Sequence, residues 1–318
     1  KNRWFMKLGS MSSSVAPWQG FWRLMLESGK FESPSVIPEA ARFFAKALSA
    51  DYREDKLVLE LASGNGALER ALRLHSKQMG VWISLDYSWE ALKMSAVMNQ
   101  SQGVQATLEA MPLAEGACDA VVSQFGFEYA KENVLDSICS IIKPRGRLCM
   151  LMHKVDSIIY RDFEATCRQL GEEVQSEFFE RLIHVLNGWD DAPLSSQLIS
   201  LSDLAALSQQ LDVGEEKSVS LGADFLSYIQ INLKKMVSAE GVENLSAEGA
   251  WLKSIVIEWG GFLARAQAMV DAALTRNDFL AVQESLMDNG FSIQTAAELK
   301  NGSKDSLGYA LCADKNIS

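Results

Sequence analysis

KLVLELASGNGALERA, residues 56–71, is the stretch on which the reading of the chain turns. Leu57, Val58, Leu59, Glu60 and Leu61 form a short apolar run of the kind that makes a buried strand. Ala62-Ser63-Gly64-Asn65-Gly66 turns the chain, and from Ala67 onward good helix formers recur at apolar spacing. Strand, glycine turn and helix together aim backbone N–H groups and the positive end of a helix dipole at a ligand. Gly64 and Gly66 suit such a turn because a residue without Cβ lets another group approach closely. A G-x-G pair alone is weak, since a plain strand–helix connection carries the same letters. The next strand adds the second feature: Val81-Trp82-Ile83-Ser84-Leu85-Asp86 ends on a carboxylate about twenty residues past the turn, the spacing at which a doubly wound sheet offers an acid to ribose hydroxyls. Ser88 then stands as the N-cap of the following helix.

The alternation continues. A weak strand is expected at Val104–Leu108, a stronger one at Asp119–Phe125 and a helix at Val134–Ile142. Lys143-Pro144-Arg145-Gly146 reads as a tight turn into a strand over Arg147–His153. Such regular β-α repetition implies a parallel sheet with helices on both faces, and ligands on such sheets bind at the carboxyl ends of the strands. Near the end a helix over Phe279–Asp288 is closed by Asn289-Gly290. Phe291–Leu299 and Leu307–Asp314 follow as a hairpin, so the last strand runs antiparallel to the rest. The expected fold is a Rossmann-like, seven-stranded doubly wound α/β sheet with an antiparallel last strand.

Residues 51–155 and 276–318 carry this pattern. Residues 1–50 are aromatic and helical, with Trp4, Phe5, Trp18, Phe21 and Trp22 ahead of any strand. Phe21, Leu24 and Met25 share a face of an expected helix over Trp18–Ser28, and a second helix runs from Pro38 to about Ala50. Packing on the core and a role as ligand lid both suit that aromatic stripe. Residues 156–275 show only helical spacings, among them Phe163/Cys167/Leu170/Val174, Phe179/Leu182/Ile183/Leu186 and Phe225/Tyr228/Ile229/Leu233, and are read as an α-helical insertion.

The 318 residues are 48% hydrophobic and 22% charged, ordinary globular composition with enough length for a real core. The net charge of -11 argues against a nucleic-acid surface, which needs clustered Lys and Arg. No polybasic run addresses a membrane, and no apolar stretch or leader pattern marks a transmembrane helix or signal peptide. Five scattered cysteines (118, 139, 149, 167 and 312) without C-x-x-C spacing fit buried reduced thiols in a cytoplasmic protein. His75, His153 and His184 lie far apart, so no metal signature is present.

These segments resemble the class I S-adenosylmethionine-dependent methyltransferases. Glu60-Leu61-Ala62-Ser63-Gly64-Asn65-Gly66 is similar to their acidic-x-G-x-G-x-G motif, and Asp86-Tyr87-Ser88 with Leu92 to their D-x-S-x-x-x-L segment. Glu109-Ala110-Met111-Pro112-Leu113 with Asp119-Ala120-Val121-Val122-Ser123, and Ile142-Lys143-Pro144-Arg145-Gly146-Arg147-Leu148, resemble their later strand blocks. The resemblance implies S-adenosylmethionine as cofactor. Ala62, Ser63, Gly64 and Gly66 would cradle its methionine and ribose, with Glu60 near the amino group. Asp86 would accept from both ribose hydroxyls and Tyr87 would pack on the adenine. Leu108 and Glu109 would line the adenine edge, while Ser123 and Phe125 would pass near the methionine moiety. Three positions depart from the pattern: Ala62 replaces a glycine, acceptable at negative φ; Thr107 stands where an aspartate is common; Arg145 replaces a turn glycine.

An oxygen acceptor needs its proton removed and an amine must be neutral, so a base is sought where the methyl would point. His153, ending strand five, is the candidate base, although a histidine there can also simply fill the sheet edge. Tyr129, and Glu128 beside it, are candidates for acceptor orientation or proton relay. Relatives of this kind carry a substrate cover in the position of the insertion, which suits a small-molecule acceptor. Ser123-Gln124-Phe125-Gly126 lacks the N-P-P-Y type sequence of nucleic-acid amino methyltransferases. A non-catalytic cofactor-binding regulator and a protein methyltransferase stay open as alternatives, as does the oligomeric state, a homodimer included.

Overall fold

The computed structural model describes residues 15–27, 36–48, 55–75, 80–130, 134–174 and 261–317, with the single positions 29, 181, 184, 230 and 234. By backbone contacts the chain divides into residues 1–160 with 268–318 and, separately, 161–267. Most of the insertion, including the helix faces around Phe179, Phe225 and Trp251, lies outside the described residues.

The apolar runs form the strands the pattern demands. The elements in chain order are α1 (Val15–Glu27), α2 (Pro38–Leu48), β1 (Leu57–Leu61), α3 (Ala67–His75), β2 (Val81–Asp86), α4 (Trp89–Asn99), β3 (Gln102–Gln105), β4 (Cys118–Gln124), α5 (Val134–Ile141), β5 (Ile142–Met152), α6 (Ile158–Val174), α7 (261–272), α8 (Arg276–Asp288), β6 (Phe291–Lys300) and β7 (Ser306–Lys315). They build one seven-stranded sheet in the order β3-β2-β1-β4-β5-β7-β6. The first five strands pair in parallel, and β7 lies antiparallel between β5 and β6. The seven strands and the antiparallel last strand are the expected fold.

The central strands β1 and β4 are buried on both faces. Leu59, Leu61, Leu85, Val121 and Ile138 fill one layer; Val58, Phe44, Leu68, Leu72, Trp82 and Val122 fill the other. Arg147 and Asp314 sit directly opposite on β5 and β7 and bond through both guanidinium edges, Nε to Oδ1 at 2.6 Å and Nη2 to Oδ2 at 2.9 Å. Asp119 ties three segments together: it accepts from Leu57 N–H at 3.0 Å and pairs with Lys56 and Lys143. Cys118, Cys139, Cys149 and Cys312 are buried free thiols, as read from the sequence.

Three local expectations are corrected. The third strand ends at Gln105, and Leu108 opens a 3-10 turn over Leu108–Ala110 instead of ending a strand: Ala106 N–H makes the last pairing bond, to the Asp86 carbonyl at 3.1 Å, and β2 offers no partner beyond Asp86. Lys143–Gly146 lies within β5, where pairing jumps from Cys118↔Ile142 to Ala120↔Arg147, and Arg145 takes the left-handed conformation at φ 64°. The buried face of α1 is centred on Trp22, with Trp18, Phe21, Met25 and Leu26 around it against Ala91 and Met94 of α4; Leu24 takes no part.

Past β5 the chain is clamped. Lys154 bridges Leu274, Leu274 N–H bonds the His153 carbonyl at 2.9 Å, and Val155 N–H bonds the Leu274 carbonyl at 3.0 Å. The segment between them therefore departs and returns at one point of the sheet edge.

Candidate active site

The β1 turn closes under unusual backbone angles. Ala62 (φ 49°), Gly64 (φ 54°) and Gly66 (φ 69°) are all left-handed. For Ala62 this overturns the expectation of a negative φ, and an L-residue there carries about 1–2 kcal/mol of strain. Each glycine is also required by what it touches. A Cβ on Gly64 would lie 2.7 Å from the Trp22 ring, and one on Gly66 would collide with the Ser95 and Asn99 side chains of α4. Ser63 N–H extends the β2 pairing to the Leu85 carbonyl at 3.1 Å, while its Oγ is buried and finds no hydrogen-bond partner among the described residues.

Asp86 stands beside this turn. Its Oδ2 accepts from Gly64 N–H and its Oδ1 from Ser88 N–H, both at 2.8 Å. Burial pushes its pKa up to about 6 against the pull of those backbone bonds. The Tyr87 backbone N–H bonds the carboxyl as well, so of a carboxylate's about four lone-pair sites one is left to accept. Tyr87 is half-buried next in the chain, and its carbonyl accepts from the Gln105 amide at 3.1 Å. Glu60 is buried deeper, with Trp82 Nε1 donating to it at 2.9 Å, and burial raises its pKa to about 8. It therefore holds a proton at neutral pH.

A second cluster forms at the ends of β4 and β5. Ser123 Oγ accepts from Phe127 N–H at 3.0 Å, which winds Phe127–Tyr129 into a 3-10 turn. Phe125, left-handed at φ 54°, stacks on the His153 ring with centroids 4.3 Å apart. Tyr129 meets the same ring edge-on at 6.0 Å. Glu128 Oε1 accepts the His153 backbone N–H at 2.7 Å and lies 4.0 Å from its Nε2. Burial raises the Glu128 pKa to about 7 and lowers that of His153 to about 3, so the imidazole is neutral. Burial, with Glu128 adjacent, also lifts Tyr129 well above the usual phenol range.

The two clusters are neighbours. A Cβ on Gly126, beyond β4, would come within 2.5 Å of the Ala62 Cβ. Helix α1 crosses both: Trp22 covers Gly64, and Trp18, about one turn earlier, meets Tyr129 edge-on at 6.2 Å. The structure thus brings together Ala62, Ser63, Gly64, Gly66, Asp86, Ser123, Phe125, Tyr129 and His153. Leu108 and Glu109 lie on their 3-10 turn, Leu108 packed against the core. Trp22 was not singled out by the sequence; its only signal there was the aromatic content of α1.

Residues 59–150 match the family model described as a methyltransferase domain. This span, from β1 into β5, is a methyltransferase domain. Among its relatives are ubiquinone/menaquinone biosynthesis C-methyltransferases UbiE. That of Wigglesworthia glossinidia brevipalpis is 31% identical over 106 residues, covering 30% of this chain and 42% of the relative. That of Salmonella arizonae is 32% identical over 108 residues, covering 31% and 43%. The chain thus spans less than half the length of these relatives. Among solved structures, a putative S-adenosyl-L-methionine-dependent methyltransferase from Methanococcus maripaludis aligns over 94% of both chains at 13% identity and a TM-score of 0.41. Geranyl diphosphate C-methyltransferase from Streptomyces coelicolor A3(2) covers 87% of this chain and 78% of its own at 9% identity and a TM-score of 0.43.

The cofactor of this methyltransferase domain is S-adenosylmethionine, and the residues present fit it. Ser63 Oγ, without a partner among the described residues, and the remaining acceptor site of Asp86 are unmet hydrogen-bonding capacity at a strand–turn–helix junction. Among the described residues no group of three or more His, Cys, Asp or Glu could hold a metal ion, and no helix is long and apolar enough to cross a membrane.

Proposed function

We propose that the protein methylates a small-molecule acceptor from S-adenosylmethionine. The observation that carries this reading is the buried Asp86 carboxylate, fixed by the backbone N–H groups of Gly64, Tyr87 and Ser88 with acceptor capacity left beside the glycine turn. Asp86 holds the ribose, Ala62–Gly66 the methionine and ribose, Glu60 the region of the amino group, and Tyr87, Leu108 and Glu109 the adenine side. The bound cofactor supplies an electrophilic methyl group on a sulfonium. What the chain adds is position and exclusion of water: Ser123 and Phe125 shape the floor, and α1 closes over both clusters. His153, neutral and packed on Phe125, takes the acceptor's proton, and Tyr129 orients the acceptor.

Acceptor choice is assigned to residues 156–275, whose two ends are clamped beside His153. The UbiE relatives are named as C-methyltransferases, so carbon joins oxygen, nitrogen and sulfur as the receiving atom. The deciding experiment is calorimetric titration with S-adenosylmethionine, followed by incubation of protein and methyl-labelled cofactor with fractionated cell extract. Label in one low-molecular-mass compound supports the reading. Label in protein indicates a protein methyltransferase, and binding without any transfer indicates a regulator.

A further inference from the structure

Glu128 is the buried acid that the proposed reaction has not yet used. One oxygen is committed, accepting the His153 backbone N–H at 2.7 Å; the other, Oε2, is buried without a hydrogen-bond partner among the described residues. The carboxyl also lies 4.0 Å from His153 Nε2, at the strand ends where β4 and β5 converge. A base within reach of the acceptor and a third group holding that base is the general arrangement of proton-transfer sites. We propose that Glu128 is the proton store of this site: His153 relays the acceptor's proton to the Glu128 carboxylate.

The step balances. The acceptor–hydrogen bond breaks and its electron pair forms the bond to the methyl carbon, while the carbon–sulfur pair stays on sulfur. The proton crosses the imidazole to Glu128, so a carboxylate facing a sulfonium becomes a neutral acid facing a thioether. No charge is left stranded in the buried site. With His153 pushed down to about 3 and Glu128 up to about 7, the carboxylate is the stronger base of the two, and the imidazole serves as a conduit rather than a terminus. Among the described residues the titratable groups facing Glu128 are His153, just past β5, and Tyr129 from its own turn; α1 contributes Trp18 through Tyr129. Lys154, next in the chain, directs its ammonium to the Val155 carbonyl at 3.1 Å, to Glu298 of β6 at 3.8 Å and over the Tyr309 ring of β7.

This inference rests on the proposed methyl transfer for its purpose, but its test does not need turnover. With imidazole nitrogens labelled, and His75 and His184 replaced to isolate the signal, the His153 resonances of the cofactor-free protein are followed from pH 5 to 9. They should shift with a midpoint near 7 while the ring stays neutral, and Glu128→Gln should abolish that shift. A flat His153 profile, or the same profile in the variant, overturns the proposal. With an acceptor in hand, Glu128→Gln should lower kcat by about 10²-fold with cofactor affinity unchanged, and Glu128→Asp should recover part of it; wild-type kcat in Glu128→Gln overturns it as well. Failure of the wild-type protein to methylate anything counts against the proposed function alone.

Discussion

Replacing Asp86 by alanine removes a group that serves the fold and the ligand at once, and the two costs can be separated. In the free protein Gly64 N–H and Ser88 N–H each lose a buried acceptor at 2.8 Å, at about 1–3 kcal/mol apiece. The melting temperature should therefore fall by several degrees. In the complex the hydroxyl-to-carboxylate hydrogen bonding disappears as well, worth about 1.5–3 kcal/mol per bond. One such bond makes the loss about tenfold in affinity and two make it about a hundredfold. Calorimetric titration with S-adenosylmethionine, at a temperature where circular dichroism shows the variant folded, reads the second quantity directly. Protonation gives an independent check. The carboxyl ionises at about 6 in the fold, and the charged form is the better acceptor. Affinity should be level above pH 6 and fall as pH drops through it, by up to about tenfold per unit, whereas Asp86→Asn should be weak and lack this titration. Unchanged affinity in a folded Asp86→Ala, or a wild-type affinity level from pH 7 to 5, would refute the placement of the ribose.

Glu60→Gln should be nearly neutral for stability at pH 7 and stabilising at pH 9. Glu60, Asp86 and Glu128 all have raised folded pKa values, so their contribution is complete below the unfolded carboxylate range and is lost as pH rises through about 6 to 8; denaturant titrations at several pH values measure this. Asp119 has the opposite sign. Burial opposes its ionisation, but Leu57 N–H, Lys143 and Lys56 outweigh burial and hold its pKa below the ordinary value, so its contribution is present above pH 4 and lost on acidification. Asp119→Asn should accordingly lower the melting temperature at pH 7 and matter little at pH 3. Ala62→Gly relieves left-handed strain against a modest entropic cost, and should be neutral or stabilising by up to about 1 kcal/mol. Gly64→Ala should destabilise and weaken cofactor binding, because its Cβ meets the Trp22 ring.

The sheet was legible because burial on both faces writes itself as uninterrupted apolar runs, as in Leu57–Leu61 and Val81–Leu85. β3 was not, since Gln102-Gly103-Val104-Gln105 is an edge strand with little buried surface, and its length depends on where Ala106 N–H goes. Lys143-Pro144-Arg145-Gly146 has the letters of a turn, and its place inside β5 follows from the position of Cys118, a partner no local pattern names. The pairing of Asp86 with the glycine turn showed in their spacing, which is fixed by topology. Its cover did not: helical periodicity offered Phe21, Leu24 and Met25 as a face, while the cleft at Gly64 selects Trp22 by shape.

The clamp at Lys154 and Leu274 makes the intervening chain a cassette. Because both its ends are stitched to the same spot, exchanging, shortening or lengthening what lies between shifts no strand register elsewhere in the sheet. Evolution, or an engineer, can thus replace the segment and leave the sheet untouched. The stitch also runs through the His153 carbonyl, so any replacement segment is anchored on the residue that stacks on Phe125.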